Sequence, residues 1–301
     1  MIITDDRKIT ASTAVALGFF DGVHKGHDAI ISKAKTLATG AIKSLIYTFD
    51  THPSGFFNLP TPMISPGNSR VNLLDSYNVD YVYLQKTDRD FLNISPEDFI
   101  DKILIEKLGA THIVSGENYT FGKNKSGDSK LLEKMCKEKG ISYHIVPYST
   151  YNDKIISSTL IRSTLDNGDI PSANRMLGRP FSLSGTVVRC REVGSTLGFP
   201  TANIMPQQNA KLPMAGVYAT TTIVDGKTFP SITNVGAAPT FGEEKTIIET
   251  HILDFNQDIY SKNITVEFLS LLRQQQKFAS PDELICQLKK DTNLRRELCK
   301  V

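Results

Sequence analysis

In the first half of the chain, short apolar runs alternate with segments whose apolar residues recur every three to four positions. The runs predict strands, and the recurring segments predict helices. Strands are predicted at residues 14–17, 43–49, 80–84, 111–115 and 141–146, and helices at 26–38, 69–77, 95–108 and 129–139. This alternation is typical of an α/β fold with a doubly wound, Rossmann-like parallel sheet. Ligands of such sheets bind beyond the carboxyl ends of the strands, so the segments after 14–17 and 111–115 should meet in one crevice.

From about Gly178 the rhythm changes, because apolar runs follow one another without intervening helices. Strands are predicted at 187–188, 216–223, 229–235, 247–254 and 264–271, separated by Gly, Pro, Asp and Asn residues. This pattern favours a small antiparallel β-barrel. Ser280 followed by Pro281 is typical of a helix start, which predicts helical structure at the C-terminus. We therefore expect two domains, at residues 1–177 and 178–301.

The composition of the chain argues against nucleic acid and membranes as binding partners. The chain has 301 residues and a formal net charge of only +2, with no long basic run, which argues against a dedicated nucleic-acid binder. No apolar run is long enough to span a bilayer, and the polar N-terminus lacks a signal-peptide pattern. The four cysteines are scattered without a Cys-x-x-Cys pair, as expected of reduced thiols in a cytoplasmic protein. The oligomeric state stays open.

The segment of residues 15–27, VALGFFDGVHKGH, carries the clearest chemistry. It predicts a buried strand, a glycine-rich turn and a helix start bearing His24 and His27 on either side of Gly26. Unpaired backbone N–H groups at a helix N-terminus bind phosphate. We therefore expect a nucleotidyltransferase that binds a triphosphate there. The ATP- and phosphate-binding residues predicted in this segment are Gly18, Phe19, Phe20, Asp21 and Gly26. Two histidines at this spacing are also compatible with a solvated helix face or half of a zinc site.

Seven segments, in this order along the chain, together resemble one protein family. They are residues 18–27 (GFFDGVHKGH), 48–53 (TFDTHP), 116–122 (GENYTFG), 156–162 (ISSTLIR), 177–180 (LGRP), 198–203 (GFPTAN) and 249–255 (ETHILDF). Their pattern resembles the prokaryotic bifunctional riboflavin kinase/FAD synthetases over nearly the whole chain. The resemblance implies an N-terminal module that transfers AMP from ATP to FMN and releases pyrophosphate. It also implies a C-terminal riboflavin kinase module, so ATP, FMN and riboflavin are the expected small-molecule substrates.

The resemblance assigns roles in the first module. His24 and His27 would hold the ATP phosphates, and a second phosphate clamp would comprise Ser158, Thr159 and Arg162. Arginine suits that role because its planar fork binds phosphate at two points. Flavin contacts would come from Asn118 and Phe121. Read alone, residues 157–159 also suit a helix N-cap, and Asn118 a turn.

In the second module, the resemblance implies that Gly198 and Pro200 approach the nucleotide while Thr201 and Asn203 bind Mg²⁺. Oxygen ligands of this kind suit Mg²⁺, which also relies on substrate phosphates. Glu249 would be the general base for the ribityl hydroxyl, and Arg273 would touch the flavin. Read alone, Glu249 is equally compatible with an outward-facing charge on a strand.

The chain departs from the family pattern at four positions. Thr51 replaces a proline in the first module, which should alter only local loop stiffness. In the kinase module, Cys190 replaces a glycine, Ser195 an arginine and Gln275 a glutamate. Since an arginine beside phosphates supplies a charge-assisted contact, we expect a working adenylyltransferase with a kinase that is weak, altered or lost.

Three alternatives stay open at this point. Both activities are retained if the substitutions are tolerated, with Arg189 or Arg191 supplying the charge. The chain is a flavin-sensing regulatory protein if it binds without turnover, although such a sensor needs no triphosphate grip. A related cytidylyltransferase would share the two histidines, but residues 198–203 do not suit that role.

Overall fold

A computed structural model describes residues 1–4, 6–51, 61–189, 198–237 and 246–298. The chain divides into two compact units, Met1–Ser158 and Thr159–Val301. The sequence-based boundary after Leu177 stays a prediction. Among the described residues, no helix is long and apolar enough to cross a membrane.

The first unit contains a six-stranded sheet in the order β1-β4-β3-β2-β5-β6. The strands are β1 (Ile2–Ile3), β2 (Thr13–Leu17), β3 (Lys43–Phe49), β4 (Tyr81–Gln85), β5 (Ala110–Gly116) and β6 (Ser142–Val146). All neighbouring pairs run parallel. This confirms the predicted doubly wound α/β fold of the first half. A hairpin of β7 (Thr150–Tyr151) and β8 (Lys154–Ile155) follows the sheet.

The strand order reverses direction at β2, which pairs with β3 on one side and with β5 on the other. A crevice opens at such a reversal beyond the carboxyl ends of the strands. The loops after β2 and β5 therefore face a common space. Apolar clusters lie on both faces of the sheet, one centred on Leu45 and Phe99, the other on Ile31 and Ile46.

The helices of the first unit are α1 (Lys25–Leu37), α2 (Gly67–Asp75), α3 (Arg89–Leu92), α4 (Pro96–Asp98) and α5 (Ser129–Glu138). Polar caps begin most of them: His24 caps α1, Ser95 caps α4 and Asp128 caps α5. Beyond α4, residues Phe99–Lys107 form a π-helix. The helix predicted at 95–108 is therefore a short α-helix that continues as a π-helix.

The second unit contains a closed barrel in the order β10-β13-β12-β11-β14-β9. Its strands are β9 (Phe181–Val188), β10 (Ala202–Pro206), β11 (Gly216–Val224), β12 (Lys227–Ala237), β13 (Thr246–Ile252) and β14 (Asn263–Arg273). All six pairings are antiparallel, as predicted. Helices α6 (Ser158–Asp166) and α7 (Ile170–Leu177) precede the barrel, and a C-terminal helix (Pro281–Glu297) follows it.

The barrel interior contains a ladder of hydroxyl groups. Thr220 Oγ1 lies 2.8 Å from both Ser231 Oγ and Thr233 Oγ1, and Thr233 Oγ1 lies 2.9 Å from Thr250 Oγ1. These buried groups hydrogen-bond to one another, which offsets the cost of removing them from water. Because side chains alternate along a strand, the residues between them face outward. The polar residues of the candidate kinase site belong to that outward set.

Candidate active sites

The turn after β2 has an unusual backbone. Phe20 and Val23 adopt positive φ values of 61° and 39°, a region that bulky and β-branched residues rarely enter. Gly18 makes room for the turn, because a Cβ there would lie 2.8 Å from the Phe20 ring. Such strain persists only where surrounding contacts hold it, and it is concentrated at functional sites.

Asp21 provides part of that support. Its buried carboxylate accepts hydrogen bonds from the backbone N–H groups of Ile64 and Ser65, at 3.3 and 3.1 Å. Ser158 Oγ donates to the Asp21 carbonyl at 2.9 Å. The carboxylate thus fixes the turn, and Ser158 joins the start of α6 to it.

His24 caps α1 with its own ring. The Nδ1 atom accepts a hydrogen bond from the backbone N–H of His27 at 3.3 Å. A neutral imidazole that accepts at Nδ1 carries its proton at Nε2. The cap therefore selects the tautomer that has a donor on the far side of the ring.

The two histidine rings lie against each other. Their centroids are 3.6 Å apart with an angle of 16° between the planes, and Phe20 contacts the His27 ring edge-on at 5.2 Å. Gly26 lies beneath this stack, because a Cβ there would come within 3.2 Å of the His24 ring. The stack fixes both imidazoles at the N-terminus of α1.

A cleft of about 350 Å³ opens beside the stack. It is lined from β2 and α1 by Gly18, Phe19, His24, Gly26 and His27, from the segment after β5 by Gly116, Asn118 and Tyr119, and by Phe49, Tyr148 and Ser158. Histidines and a helix N-terminus form one part of the lining, and aromatic rings form another. Such a cleft can hold phosphates and a planar aromatic group together.

Arg70 supports Phe19, one of the aromatic residues that line the cleft. Its buried guanidinium lies 4.5 Å from the centre of the Phe19 ring and donates to the Phe19 carbonyl at 3.0 Å. It also donates to Thr48 Oγ1 at 2.8 Å, so it joins the ends of β2 and β3. Burial lowers the pKa of Arg70 to about 10, against the attraction of Asp21 and Asp50. The group therefore stays charged at neutral pH.

In the second unit, strand register brings three polar residues into a row. Glu249 on β13 is directly opposite Asn203 on β10 and Asn234 on β12. Asn234 Nδ2 donates to Glu249 Oε2 at 3.4 Å. Asn203 is only 6% exposed, and within the part of the chain that the structure describes its Oδ1 has no hydrogen-bond partner. A buried amide oxygen without a partner is costly, so it marks a place where a ligand completes the site.

The segment before β10 forms one edge of a second cavity. The cavity has a volume of about 280 Å³, and Pro200 and Thr201 are among its lining residues. His251 Nδ1 lies 2.8 Å from the Pro200 carbonyl, and its ring contacts Phe199 edge-on at 5.4 Å. Gly198 has a φ of 82°, which a side chain would strain.

Comparison with known proteins matches both units. The model of the FAD synthetase family matches residues 6–160, and the riboflavin kinase model matches residues 177–299. A bifunctional riboflavin kinase/FMN adenylyltransferase from Bacillus subtilis is 36% identical over 93% of this chain and 90% of its own. The chain belongs to this bifunctional family. It is accordingly a transferase, as the seven motifs predict.

Two further relatives extend the match. The bifunctional enzyme of Listeria monocytogenes is 34% identical over 96% of this chain and 93% of its own. A crystal structure of a macrolide-efflux protein from Streptococcus pneumoniae superimposes with a TM-score of 0.89 at 30% identity, covering 98% of both chains. Both relatives therefore match this chain through both of its units.

The expectation of a weakened kinase finds no support in these comparisons, which favour the fully bifunctional alternative instead. Cys190 and Ser195, on which part of that expectation depended, lie outside the described residues, as does Arg191, which the bifunctional alternative proposed as a source of charge. Gln275 is described, and its Nε2 donates to Asn234 Oδ1 at 3.0 Å. The altered position is therefore joined to the row that contains Glu249.

Two predicted flavin contacts lie in different surroundings from those expected. The Phe121 ring is buried in the core, 5.4 Å from Phe99, and the neighbouring Tyr119 lines the cleft instead. The Arg273 guanidinium is held by Asp291 of the C-terminal helix, with Nε–Oδ2 and Nη2–Oδ2 distances of 3.0 and 2.9 Å. Their flavin roles stay predictions, and the structure adds a packing role for each.

Thr159 and Arg162 follow Ser158 on α6 and belong to the second unit. Their phosphate-binding role also stays a prediction. The aromatic residues Phe49, Tyr119 and Tyr148 escaped the sequence analysis, although all three line the cleft. Their positions could have indicated this, because Phe49 ends β3 while Tyr119 and Tyr148 follow β5 and β6 at the edge of the sheet that faces the crevice.

Proposed function

We propose that this protein makes FAD in two steps. The barrel unit first converts riboflavin and ATP to FMN and ADP. The unit with the parallel sheet then converts FMN and ATP to FAD and pyrophosphate. The observation that carries the proposal is the agreement of two separate family matches with two separate polar sites, one on each unit.

For adenylyl transfer, the cleft beside α1 holds the nucleotide and the flavin. A phosphate oxygen of FMN attacks the α-phosphorus of ATP, and the bond to pyrophosphate breaks. His24 donates from Nε2 to a phosphate oxygen, since its Nδ1 is committed to the cap of α1. The N-terminus of α1 adds positive potential, and His27 adds a further ring N–H donor. Phosphoryl-type transfer depends mainly on such positioning and charge stabilisation.

The aromatic side of the same cleft suits the isoalloxazine ring. Phe19, Phe49 and Tyr119 offer apolar faces there, and Asn118 offers an amide for the polar edge of the flavin. Arg70 holds Phe19 and the end of β3 in place. This arrangement orients the FMN phosphate towards the histidine stack.

For phosphoryl transfer in the second unit, Glu249 takes the proton of the riboflavin 5′-hydroxyl. The resulting oxygen attacks the γ-phosphorus of ATP, and ADP leaves. A carboxylate serves as such a base when it is held within hydrogen-bond reach of the hydroxyl. Asn234 holds one oxygen of Glu249, which leaves the other available.

The residues beside Glu249 suit Mg²⁺. The unpartnered Oδ1 of Asn203 and the hydroxyl of Thr201 are hard oxygen donors, and Mg²⁺ uses few protein ligands alongside substrate phosphates. When bound, the ion would neutralise charge on the transferred phosphate. The matching test replaces Asn203 by Leu and measures Mg²⁺ binding by isothermal titration in the presence of ADP, where we expect the affinity to fall.

Product analysis tests the proposal. The purified protein is incubated with ATP and Mg²⁺ and either riboflavin or FMN, and the flavins are separated by chromatography. The proposal requires FMN and FAD from riboflavin, and FAD from FMN. Flavin binding without release of ADP or pyrophosphate would instead make the protein a sensor.

A further inference from the structure

Two apolar side chains in the cleft of the first unit are not among the proposed flavin contacts. Tyr148 and Ile155 both line this cleft, and they are 39% and 48% exposed. Large apolar side chains left open to solvent in a concave site are typical of a ligand contact. Neither residue belongs to the seven family motifs, so the resemblance assigns them no role.

The hairpin after β6 places these two side chains on one face. Thr150 on β7 pairs with Ile155 on β8. The backbone N–H of Ile156 donates to the Ser149 carbonyl at 2.9 Å, which extends the pairing by one position. Since side chains alternate along a strand, Tyr148 lies on the same face as Thr150 and Ile155. Diagonal neighbours of this kind are roughly 7–8 Å apart, which is the spacing that a flat ring needs when it contacts a group on each of its faces.

The hairpin lies on a different side of the cleft from the proposed flavin contacts. Phe49 and Tyr119 both pack against the apolar cluster on one face of the sheet. Val146, two residues before Tyr148, packs against the cluster on the other face, which includes residues of α1. The order of the strands places β6 three positions from β3, which corresponds to roughly 14 Å. The cleft therefore has two apolar ends.

The proposed phosphate-binding elements lie between these ends. Strand β2 is flanked by β3 and β5 in the sheet, and the histidine stack at the start of α1 follows β2 along the chain. The hairpin reaches this point, because a Cβ at Gly26 would lie 3.9 Å from the Ile156 carbonyl. Adenylyl transfer joins two phosphates that each carry a flat ring system. A site for this reaction therefore needs one place for a ring on either side of the phosphates.

We propose that Tyr148 and Ile155 bind the adenine ring of ATP, with Tyr148 stacked on one face of the ring and Ile155 against the other. The inference rests on the proposed adenylyl transfer and deepens it, since it divides the cleft between the two substrates. ATP reaches the histidine stack from the side of the hairpin, and the FMN phosphate reaches it from the side of Phe49.

Initial rates of pyrophosphate release from ATP and FMN test this assignment, because only adenylyl transfer produces pyrophosphate. Loss of base stacking in Tyr148→Ala should raise KM for ATP by about tenfold or more, while KM for FMN stays within about twofold. Tyr148→Phe keeps the ring, so both constants should stay within about twofold of the wild type. Ile155→Ala should raise KM for ATP by about three- to fivefold.

Ile145→Ala is the matched control for Ile155→Ala. It makes the same change at an exposed residue of β6 that is not among those lining the cleft, and it should leave KM for ATP unchanged. Thermal unfolding of each variant reports that it is folded. The proposal is overturned if a folded Tyr148→Ala variant keeps KM for ATP within twofold of the wild type, or if its KM for FMN rises instead.

A second readout does not depend on turnover. The chain contains no tryptophan, so Tyr148→Trp introduces a single indole between the hairpin and the proposed adenine position. Its fluorescence should be quenched when α,β-methylene-ATP is added and should not change with inorganic tripolyphosphate, which has no base. Ile145→Trp should respond to neither compound. Absence of quenching overturns the adenine assignment even if FAD is made. Quenching in a protein whose wild type releases no pyrophosphate overturns the proposed adenylyl transfer alone.

Discussion

At the scale of single residues, we propose that His24 combines a structural and a chemical task. Its Nδ1 caps α1, and its ring lines the cleft, where the proposed role of Nε2 is to donate to a phosphate oxygen. Asparagine can also cap a helix but has no donor at the Nε2 position. His24→Asn should therefore keep the stability of the wild type and lower FAD formation from FMN by about 100-fold.

His24→Ala separates the two tasks, because it removes both. It should cost about 1 kcal/mol of stability in addition to the same loss of rate. Chemical denaturation and initial rates of pyrophosphate release measure the two effects. Equal activity of His24→Asn and the wild type would remove His24 from the chemistry.

Gly26 offers a test in which stability and activity move in opposite directions. Alanine is favoured over glycine within a helix by roughly 0.5–1 kcal/mol, but its Cβ would lie 3.2 Å from the His24 ring. Gly26→Ala should retain the wild-type Tm or raise it, and should lower adenylyl transfer by about tenfold or more because the ring is displaced. Ser32→Ala, on the exposed face of α1, is the control and should leave the rate unchanged.

Sequence reasoning performs unevenly at this scale. It selected His24, His27, Asn203 and Glu249 from their side-chain chemistry and their motifs. In the structure His24 lies against His27, and Asn203 lies opposite Glu249. It could not foresee that the Phe121 ring packs against Phe99 or that Arg273 pairs with Asp291. Both depend on long-range contacts that leave no local pattern. The same holds for the bond between Gln275 and Asn234.

At the scale of elements, Asp80 links the starts of neighbouring strands. Its carboxylate accepts hydrogen bonds from Ser44 N and Ser44 Oγ at 2.9 and 2.7 Å and pairs with Lys43 at 3.3 Å. Burial tends to raise the pKa of Asp80, but the bonds from Ser44 and the charge of Lys43 outweigh it, so the pKa is lowered. A carboxylate whose pKa is lowered in the folded state stabilises the protein at pH values above its ordinary pKa. This stabilisation is lost as the pH falls through the folded-state pKa.

Asp80→Asn should consequently destabilise the protein at pH 7, and the difference from the wild type should shrink as the pH falls below the ordinary aspartate range of about 4. Urea unfolding at pH 7 and at pH 3 measures both. Asp90→Asn, which alters an exposed carboxylate, is the control. A difference that grows on acidification would contradict the account.

The C-terminal helix is joined to β14 by a buried ion pair. Arg273 and Asp291 have side-chain exposures of 17% and 4%. Asp291→Ala leaves the arginine unpaired and should cost about 3 kcal/mol. Replacing both residues, as Arg273→Met with Asp291→Leu, should recover most of that loss. Arg296→Ala, in an exposed pair with Asp254, should cost less than about 1 kcal/mol in the same denaturant titration.

Elements were predicted well where the pattern was strong. The central strands and α1 agree with the periodicity to within a few residues, since buried parallel strands have continuous apolar runs. Strand β10 was missed because its five residues include Asn203 and Pro206. The π-helix at Phe99–Lys107 was predicted as an α-helix, since apolar spacing alone does not distinguish the two windings.

At the scale of the whole molecule, each unit has its own cleft and its own polar centre. His24 and His27 belong to the first unit, whereas Asn203 and Glu249 belong to the second. The fold class of both halves was predictable, because the change from alternating to consecutive strands is visible along the chain. The expected weakening of the kinase found no support in the comparisons, because a substitution counted from a motif does not show whether the surrounding site tolerates it.

The central claim is that one chain carries out both reactions. The most direct measurement follows riboflavin, FMN and FAD over time in one chromatographic assay with ATP and Mg²⁺, using the wild type, Glu249→Gln and His24→Asn. We predict that the wild type converts riboflavin to FMN and then to FAD, that Glu249→Gln makes FAD only from FMN, and that His24→Asn stops at FMN. Riboflavin left untouched by a wild-type protein that converts FMN to FAD would contradict the account.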